Sequence, residues 1–231
     1  MKKYVICILA TLLIVLFGSQ SVFAWDTHAE MTRLTNFNLD KKGNLSKLKQ
    51  TIIEQSPQPD KHKSLDHSIA SRQRAIDACN AAVRNYNSKK YQDSAVQLGH
   101  CFHYLQDTGD PTKHIDDIIH VAKGKAERKE QARFIAKSYL AIDSKTPITA
   151  QTEWKTYYPE AYSIYFKNLT RVPDILDRVS SLHKGTIGVI GNTYRKKPNE
   201  NEKRLLINRA IIRCIANTVA AQDRILELLV K

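Results

Sequence analysis

Between Gln97 and His114 the chain concentrates His100, His103, His114, Asp107 and Asp110, and then turns at Gly109-Asp110-Pro111. His103 and Asp107 are four residues apart. On a helix that spacing puts both side chains on one face, about 5–6 Å from each other. His100 lies one turn earlier on the same side. Imidazole nitrogen and carboxylate oxygen are the donors that zinc takes at about 2 Å. A helix carrying them on one stripe, and Leu98, Phe102, Leu105 and Tyr91 on roughly the opposite side, can be buried by one face and hold a metal with the other. The bland reading of the same spacing is a partly exposed helix with incidental histidines. His114 follows the turn at once, where loop residues converge on a helix end.

The elements that must position these donors read as helices. Glycine is scarce, and no alternating β-branched run is long enough for a sheet. Residues 27–39 form a first helix on the spacing of Met31, Leu34 and Phe37, and Leu45, Leu48, Ile52 and Ile53 mark a second. Pro57 and Pro59 exclude helix from a loop over 56–63. Helices follow from Ser68 to Tyr86, from Lys90 to Asp107 and, amphipathic, from Ala126 to Leu140; residues 113–122 read as a loop with a helical turn. A tyrosine-rich helix over 147–168 is expected to break at Pro159. A helix from Pro173 to His183 gives way to a flexible apolar link over 186–191, and the polar turn Arg195–Asn199 leads into a long last helix, Glu200 to Leu229. Leu205, Ile212, Ile215, Val219, Leu226 and Leu229 line one face of it. The fold class is therefore all-α: a single multi-helix domain, with a zinc cluster between its helices.

Residues 1–24 read as a signal peptide. Lys2 and Lys3 precede an apolar run from Tyr4 to Phe17, and Val22-Phe23-Ala24 offers the small residues of a cleavage site. The run is short of the roughly 20 residues a membrane span needs. Cleavage at Ala24/Trp25 makes Trp25 the first residue of a secreted or periplasmic protein, domain 25–231, with a free α-amino group. Removing the two lysines leaves roughly +11 of the formal +13 charge, which favours anionic partners or simply keeps an exported protein dissolved. Cys79, Cys101 and Cys214 remain, an odd number with room for one bridge whose pairing the sequence leaves open.

The run Lys90-Tyr91-Gln92…Leu98-Gly99-x-x-x-His103-Tyr104-Leu105-x-Asp107-x-x-x-Pro111-x-x-His114 resembles the bacterial zinc-dependent phospholipase C family. S1/P1-type single-strand nucleases share that family's fold. The family has one residue between Pro and His, where this chain has Thr112 and Lys113. The resemblance implies that the amino nitrogen and carbonyl oxygen of an N-terminal Trp bind zinc, and Trp25 stands where signal cleavage puts residue one. His28 matches the family's next ligand after a shortened segment. Pro59-Asp60 and Asp66-His67 match its ligand loop, with Asp60 and His67 as the implied donors and Asp66 and His62 as competitors. His114 and His120 match a third site, although Gly124 stands where the family has a Glu; Asp116, Asp117, Glu127 and Glu130 are the carboxylates nearby.

The implied arrangement gives Asp60, His67, His103 and Asp107 to one zinc. Trp25, His28 and a shared Asp107 hold a second, and His114 with His120 hold a third. The implied chemistry is in-line hydrolysis of a phosphodiester, with Asp60 orienting or deprotonating the attacking water. A phospholipid, cleaved to diacylglycerol and a phosphorylated headgroup, is the implied substrate, with peripheral contact to anionic surfaces and no obligate protein partner. The positive charge and the tyrosines at 157–165 also suit single-stranded nucleic acid. The third reading is a non-catalytic zinc-binding exported protein.

Overall fold

The computed structural model describes residues 28–61, 71–109, 149–195 and 199–231. The expectations for Trp25, His62, Asp66, His67, His114 and His120, and for the segments 113–122 and 126–140, lie outside the described residues. Helix is the only regular secondary structure among the described residues. In chain order α1 covers 28–33, α2 Lys49–Gln55, α3 Ser71–Asn87, α4 Tyr91–Gly109, α5 Thr149–Glu160, α6 Val172–Arg195 and α7 Glu200–Val230. No described helix is long and apolar enough to cross a membrane.

α4 is the central element, packed by α2, α3, α6 and α7. Leu98, Cys101, Phe102 and Leu105 are wholly buried in the main core, with Ile52 of α2, Ala75 and Cys79 of α3, Leu176 of α6 and Ile225 of α7. A second core joins Met31 and Trp154 to Ile211, Ile215 and Val219 of α7. The other stripe of α4 is buried as well: His103 and Asp107 are 0 % and 2 % exposed. The ligand face is thus inside the protein rather than on its surface.

Gly99 sets how near α2 comes. A Cβ there would sit 2.7 Å from the Ile52 carbonyl oxygen and 2.8 Å from the Gln55 Cβ, so only glycine fits this crossing. The same approach carries the segment after α2 over His103. That segment is a 3-10 turn, Gln58–Lys61, rather than the helix-free loop expected from two prolines. Pro59 occupies the start of the turn, where a backbone N–H has no helical partner to lose, and it is buried.

Four further expectations are corrected. The first helix stops at residue 33, and after a turn Phe37–Leu39 forms a separate 3-10 turn capped by the Asn36 side chain. The turn between α3 and α4 falls at residues 88–90, past the expected 85–88, and hinges on Lys89 in the left-handed region at φ 60°. Pro159 does not break its helix. The lost N–H is accommodated by widening into a π-helical turn, Ala161–Phe166, closed by Lys167 N–H donating to the Tyr162 carbonyl at 2.8 Å. Residues 186–191 are not a link, since α6 runs through them to Arg195. Their glycines lower helix propensity by about 1 kcal/mol each, but buried Thr186, bonded to the Leu182 carbonyl, and packing of α6 on α7 hold the helix.

The last helix is the longest, 31 residues or about 46 Å at 1.5 Å per residue. Its core stripe begins at Ala210, so Ile212, Ile215, Val219, Leu226 and Leu229 are buried while Leu205, expected on that face, is 51 % exposed.

Candidate metal centre

Three elements far apart in sequence deliver four donors to one buried point. His28 opens α1, Asp60 comes from the 3-10 turn, and His103 and Asp107 lie one turn apart on α4. His28 Nε2 is 3.5 Å from Asp60 Oδ2 and 3.4 Å from Asp107 Oδ1. His103 Nε2 is 3.6 Å from Asp60 Oδ1 and 3.3 Å from Asp107 Oδ2. The two imidazoles lie tilted against each other, 4.2 Å between centroids. Each carboxylate thus offers one oxygen to each ring.

Hydrogen bonds between imidazolium and carboxylate close to about 2.7–2.9 Å. Donors around a four-coordinate ion with bonds of about 2.0–2.1 Å stand roughly 3.3–3.4 Å apart, the edge of the tetrahedron. The observed separations are longer than such hydrogen bonds, and each ring meets a different oxygen of each carboxylate. Burying a carboxylate is costly, and a cation at this point would add compensating charge. His28, Asp60 and His103 form a group whose donor atoms lie within 4.8 Å of one another and which could hold a metal ion.

Orientation of the first ligand comes from α4 itself. His28 Nδ1 donates to Gln106 Oε1 at 2.6 Å, which leaves Nε2 with its lone pair toward the centre. The Gln106 amide is held in turn by donating from Nε2 to Thr32 Oγ1 at 2.9 Å. Thr35 bonds Gln222 at 3.3 Å, and Asn36 N–H donates to Asp223 at 2.7 Å, so the segment after α1 is tied to α7. Tyr104 closes another side, edge-on to His103 at 5.0 Å between centroids. The Arg74 guanidinium lies 5.9 Å from the Tyr104 ring centroid. Burial lifts the Tyr104 hydroxyl above its ordinary value; Arg74 opposes the shift, and the charges of Asp107 and Asp60 add to it.

Of the sequence-predicted ligands, His28, Asp60, His103 and Asp107 are brought together, and Trp25, His67, His114 and His120 lie outside the described residues. His28, expected on a second ion, stands as close to Asp60 as His103 does. Asp107 faces both imidazoles as a shared carboxylate would, and so does Asp60, for which no shared role was expected. His100 is half-buried and outside the group. Gln106 and Thr32 were missed. The available signal was an amide in the middle of a buried helical run, beside Asp107; its partner is 78 residues away in sequence.

Compared with family models, with curated proteins and with solved structures, the chain finds no match.

Proposed function

We propose that this chain is an exported zinc-dependent phosphodiester hydrolase of the phospholipase C type, converting a phospholipid to diacylglycerol and a phosphorylated headgroup. The observation that carries the reading is the convergence of His28, Asp60, His103 and Asp107 at nitrogen–oxygen separations of 3.3–3.6 Å, with His28, Asp60 and His103 able to hold a metal ion. Imidazole nitrogen together with carboxylate oxygen suits zinc and other transition metals rather than calcium or magnesium, which take oxygen alone. His28, His103, Asp60 and Asp107 would hold zinc, with Trp25, His67, His114 and His120 as the proposed ligands of a fuller cluster of two or three ions. Zinc, when bound, supplies Lewis-acid polarisation of a phosphoryl oxygen and lowers the pKa of water toward neutrality. Asp60, at the less buried edge of the group, would orient the attacking water or take its proton.

The lipid substrate is favoured over nucleic acid by the tyrosines. Tyr158 donates to Asp223 and Tyr162 to Glu227, their rings stack on one another, and Tyr157 lies beneath Arg213 at 5.0 Å. These rings are half-buried and already engaged by side chains of the protein, which weakens the case for a base-stacking platform.

The test is incubation of the zinc-loaded, leader-processed protein with phosphatidylcholine vesicles and with single-stranded DNA. Diacylglycerol release is the expected result. Mononucleotides without diacylglycerol would overturn the lipid reading in favour of an S1/P1-like nuclease. Stoichiometric zinc with neither product would leave a non-catalytic zinc-binding protein.

A further inference from the structure

Two helices carry their apolar stripes past the point where the core ends. On α6, Ile175, Val179, Leu182, Thr186 and Val189 follow one another at four- and three-residue steps, the spacing of one helix face. Ile175, Val179 and Thr186 are buried, and Val189 is 49 % exposed. On α7 the stripe traced back through Thr218, Cys214 and Ala210 is buried, and Leu206, one turn earlier, is 37 % exposed. Leu205 beside it is exposed further still.

Val189 lies six residues before the end of α6, and Leu206 six residues after the start of α7. Each therefore stands about 9 Å along its helix from the connection. The two helices pack on one another, which puts these residues at one end of a helical hairpin. The surface around them is open: a Cβ added at Gly185 or Gly188 of α6 would meet nothing within 4 Å. Among the described residues the other exposed large apolar side chain is Ile164. It belongs elsewhere, since Tyr162 of the same π-helical turn bonds Glu227, about 30 Å along α7 from Leu206 at 1.5 Å per residue. Single apolar side chains on a surface are ordinary, whereas a group of them that continues two core stripes marks an interaction surface.

Charge decides what that surface meets. From Arg195 to Arg209 the chain carries six Lys and Arg against Glu200 and Glu202, and Lys184 and Arg209 are exposed. A second copy of the chain, formal charge +13, would bring the same positive surface, and like charges oppose that contact. An anionic phospholipid layer offers phosphates to the basic residues and an apolar boundary to the leucines.

We propose that the end of the α6–α7 hairpin docks on an anionic phospholipid surface, with Val189, Leu205 and Leu206 entering the headgroup layer and the Lys and Arg of 195–209 supplying the attraction. The proposal deepens the phospholipid reading above and rests on it for the choice of a membrane over another anionic surface. Docking confines the chain to the layer that holds the substrate, so each later encounter takes place at a raised effective concentration.

The experiment is co-sedimentation of the zinc-loaded, leader-processed protein, in the cold, with vesicles of phosphatidylcholine and phosphatidylglycerol and with vesicles of phosphatidylcholine alone. Binding is expected on the anionic vesicles at low salt, falling at least about 10-fold on the neutral ones and at high salt. Leu205→Ser/Leu206→Ser should weaken binding roughly 10–100-fold and keep its helical circular dichroism and its rate on a water-soluble phosphocholine ester. Ile164→Ser should bind as the natural protein does. The proposal is overturned by absence of binding to anionic vesicles, by undiminished binding of the double variant, or by an equal loss in Ile164→Ser. A concentration-dependent dimer that the double variant abolishes would overturn it in favour of a contact between copies. The soluble ester reports the metal centre without a membrane. Vesicle binding without hydrolysis of the ester would sink the enzymatic reading and keep the dock; hydrolysis of the ester without vesicle binding would sink the dock and keep the centre.

Discussion

Among the described residues, wholly or partly buried carboxylates gather at two places, and their surroundings differ. Along the contact of α5 and its π-helical extension with α7, Tyr158 donates to Asp223 at 2.5 Å and Tyr162 donates to Glu227. Asp223 also accepts from the Asn36 backbone, and Arg224 bonds Glu227 at 2.7 Å. Donors with protons close the distance to each acid. At the other place, Asp60 and Asp107 face two imidazole nitrogens at 3.3–3.6 Å, longer than charge-assisted hydrogen bonds. One protein thus sets acids bonded to hydroxyls, a guanidinium and a backbone N–H beside acids gathered with two imidazoles in a cluster that could hold a metal ion. The first is a structural seam; the second is a candidate site.

The largest break in this comparison should come from His103. His103→Ala removes a donor from the centre, and phosphodiester hydrolysis should fall by more than the roughly 10–100-fold that loss of an orienting partner brings. Unchanged kcat/KM would remove the site from the account. Gln106→Leu comes next. It leaves all four donors in place but frees the His28 ring, so zinc affinity in a competition titration should drop by about 10–100-fold. Equal affinity would mean that the Nδ1 bond does not orient His28.

The seam predicts pH effects where the site predicts metal effects. Burial lifts the Asp223 carboxyl to about 6, against the downward pull of its bonds to Tyr158 and Asn36, and Glu227 adds to the rise. The folded chain therefore holds this proton more tightly than an unfolded carboxyl near 3.8 does. The stabilisation is full below about pH 4 and is lost as pH rises through about 6, on the order of 2–3 kcal/mol in all. Asp223→Asn cannot titrate, so the Tm of the natural protein relative to this variant should be higher at pH 4.5 than at pH 7.5; a constant difference would show that Asp223 does not carry the proton. The smallest effect is expected from Tyr162→Phe. Arg224 still bonds Glu227, so chemical denaturation should show a loss of about 1 kcal/mol, with zinc content unchanged. A variant that lost zinc would join seam to site and dissolve the contrast.

How much of this could be read from the sequence depended on range. His103 and Asp107 were legible because helical periodicity relates residues four apart, and the apolar stripe through Leu98, Phe102 and Leu105 showed which side of α4 is anchored. The all-helical class was legible from scarce glycine and the lack of alternation. That His28 and Asp60 belong near α4 was legible only through the resemblance, which gave them to different ions; no local pattern links α1, the 58–61 turn and α4. Gln106 escaped because an amide inside a helix carries no mark until its partner is placed beside it. The expected breaks at Pro159 and at 186–191 applied local propensity where tertiary packing prevails: a π-helical turn absorbs the proline, and α7 supports the glycines of α6.

The most direct measurement is the zinc content, by native mass spectrometry, of the protein beginning at Trp25, compared with a His28→Ala/His103→Ala variant. The account predicts at least one tightly held zinc per chain in the natural protein, and loss of that ion in a variant that keeps its helical circular dichroism. A natural protein that stays metal-free under zinc excess, or a variant that retains the same zinc, would contradict the claim that these residues form a metal centre.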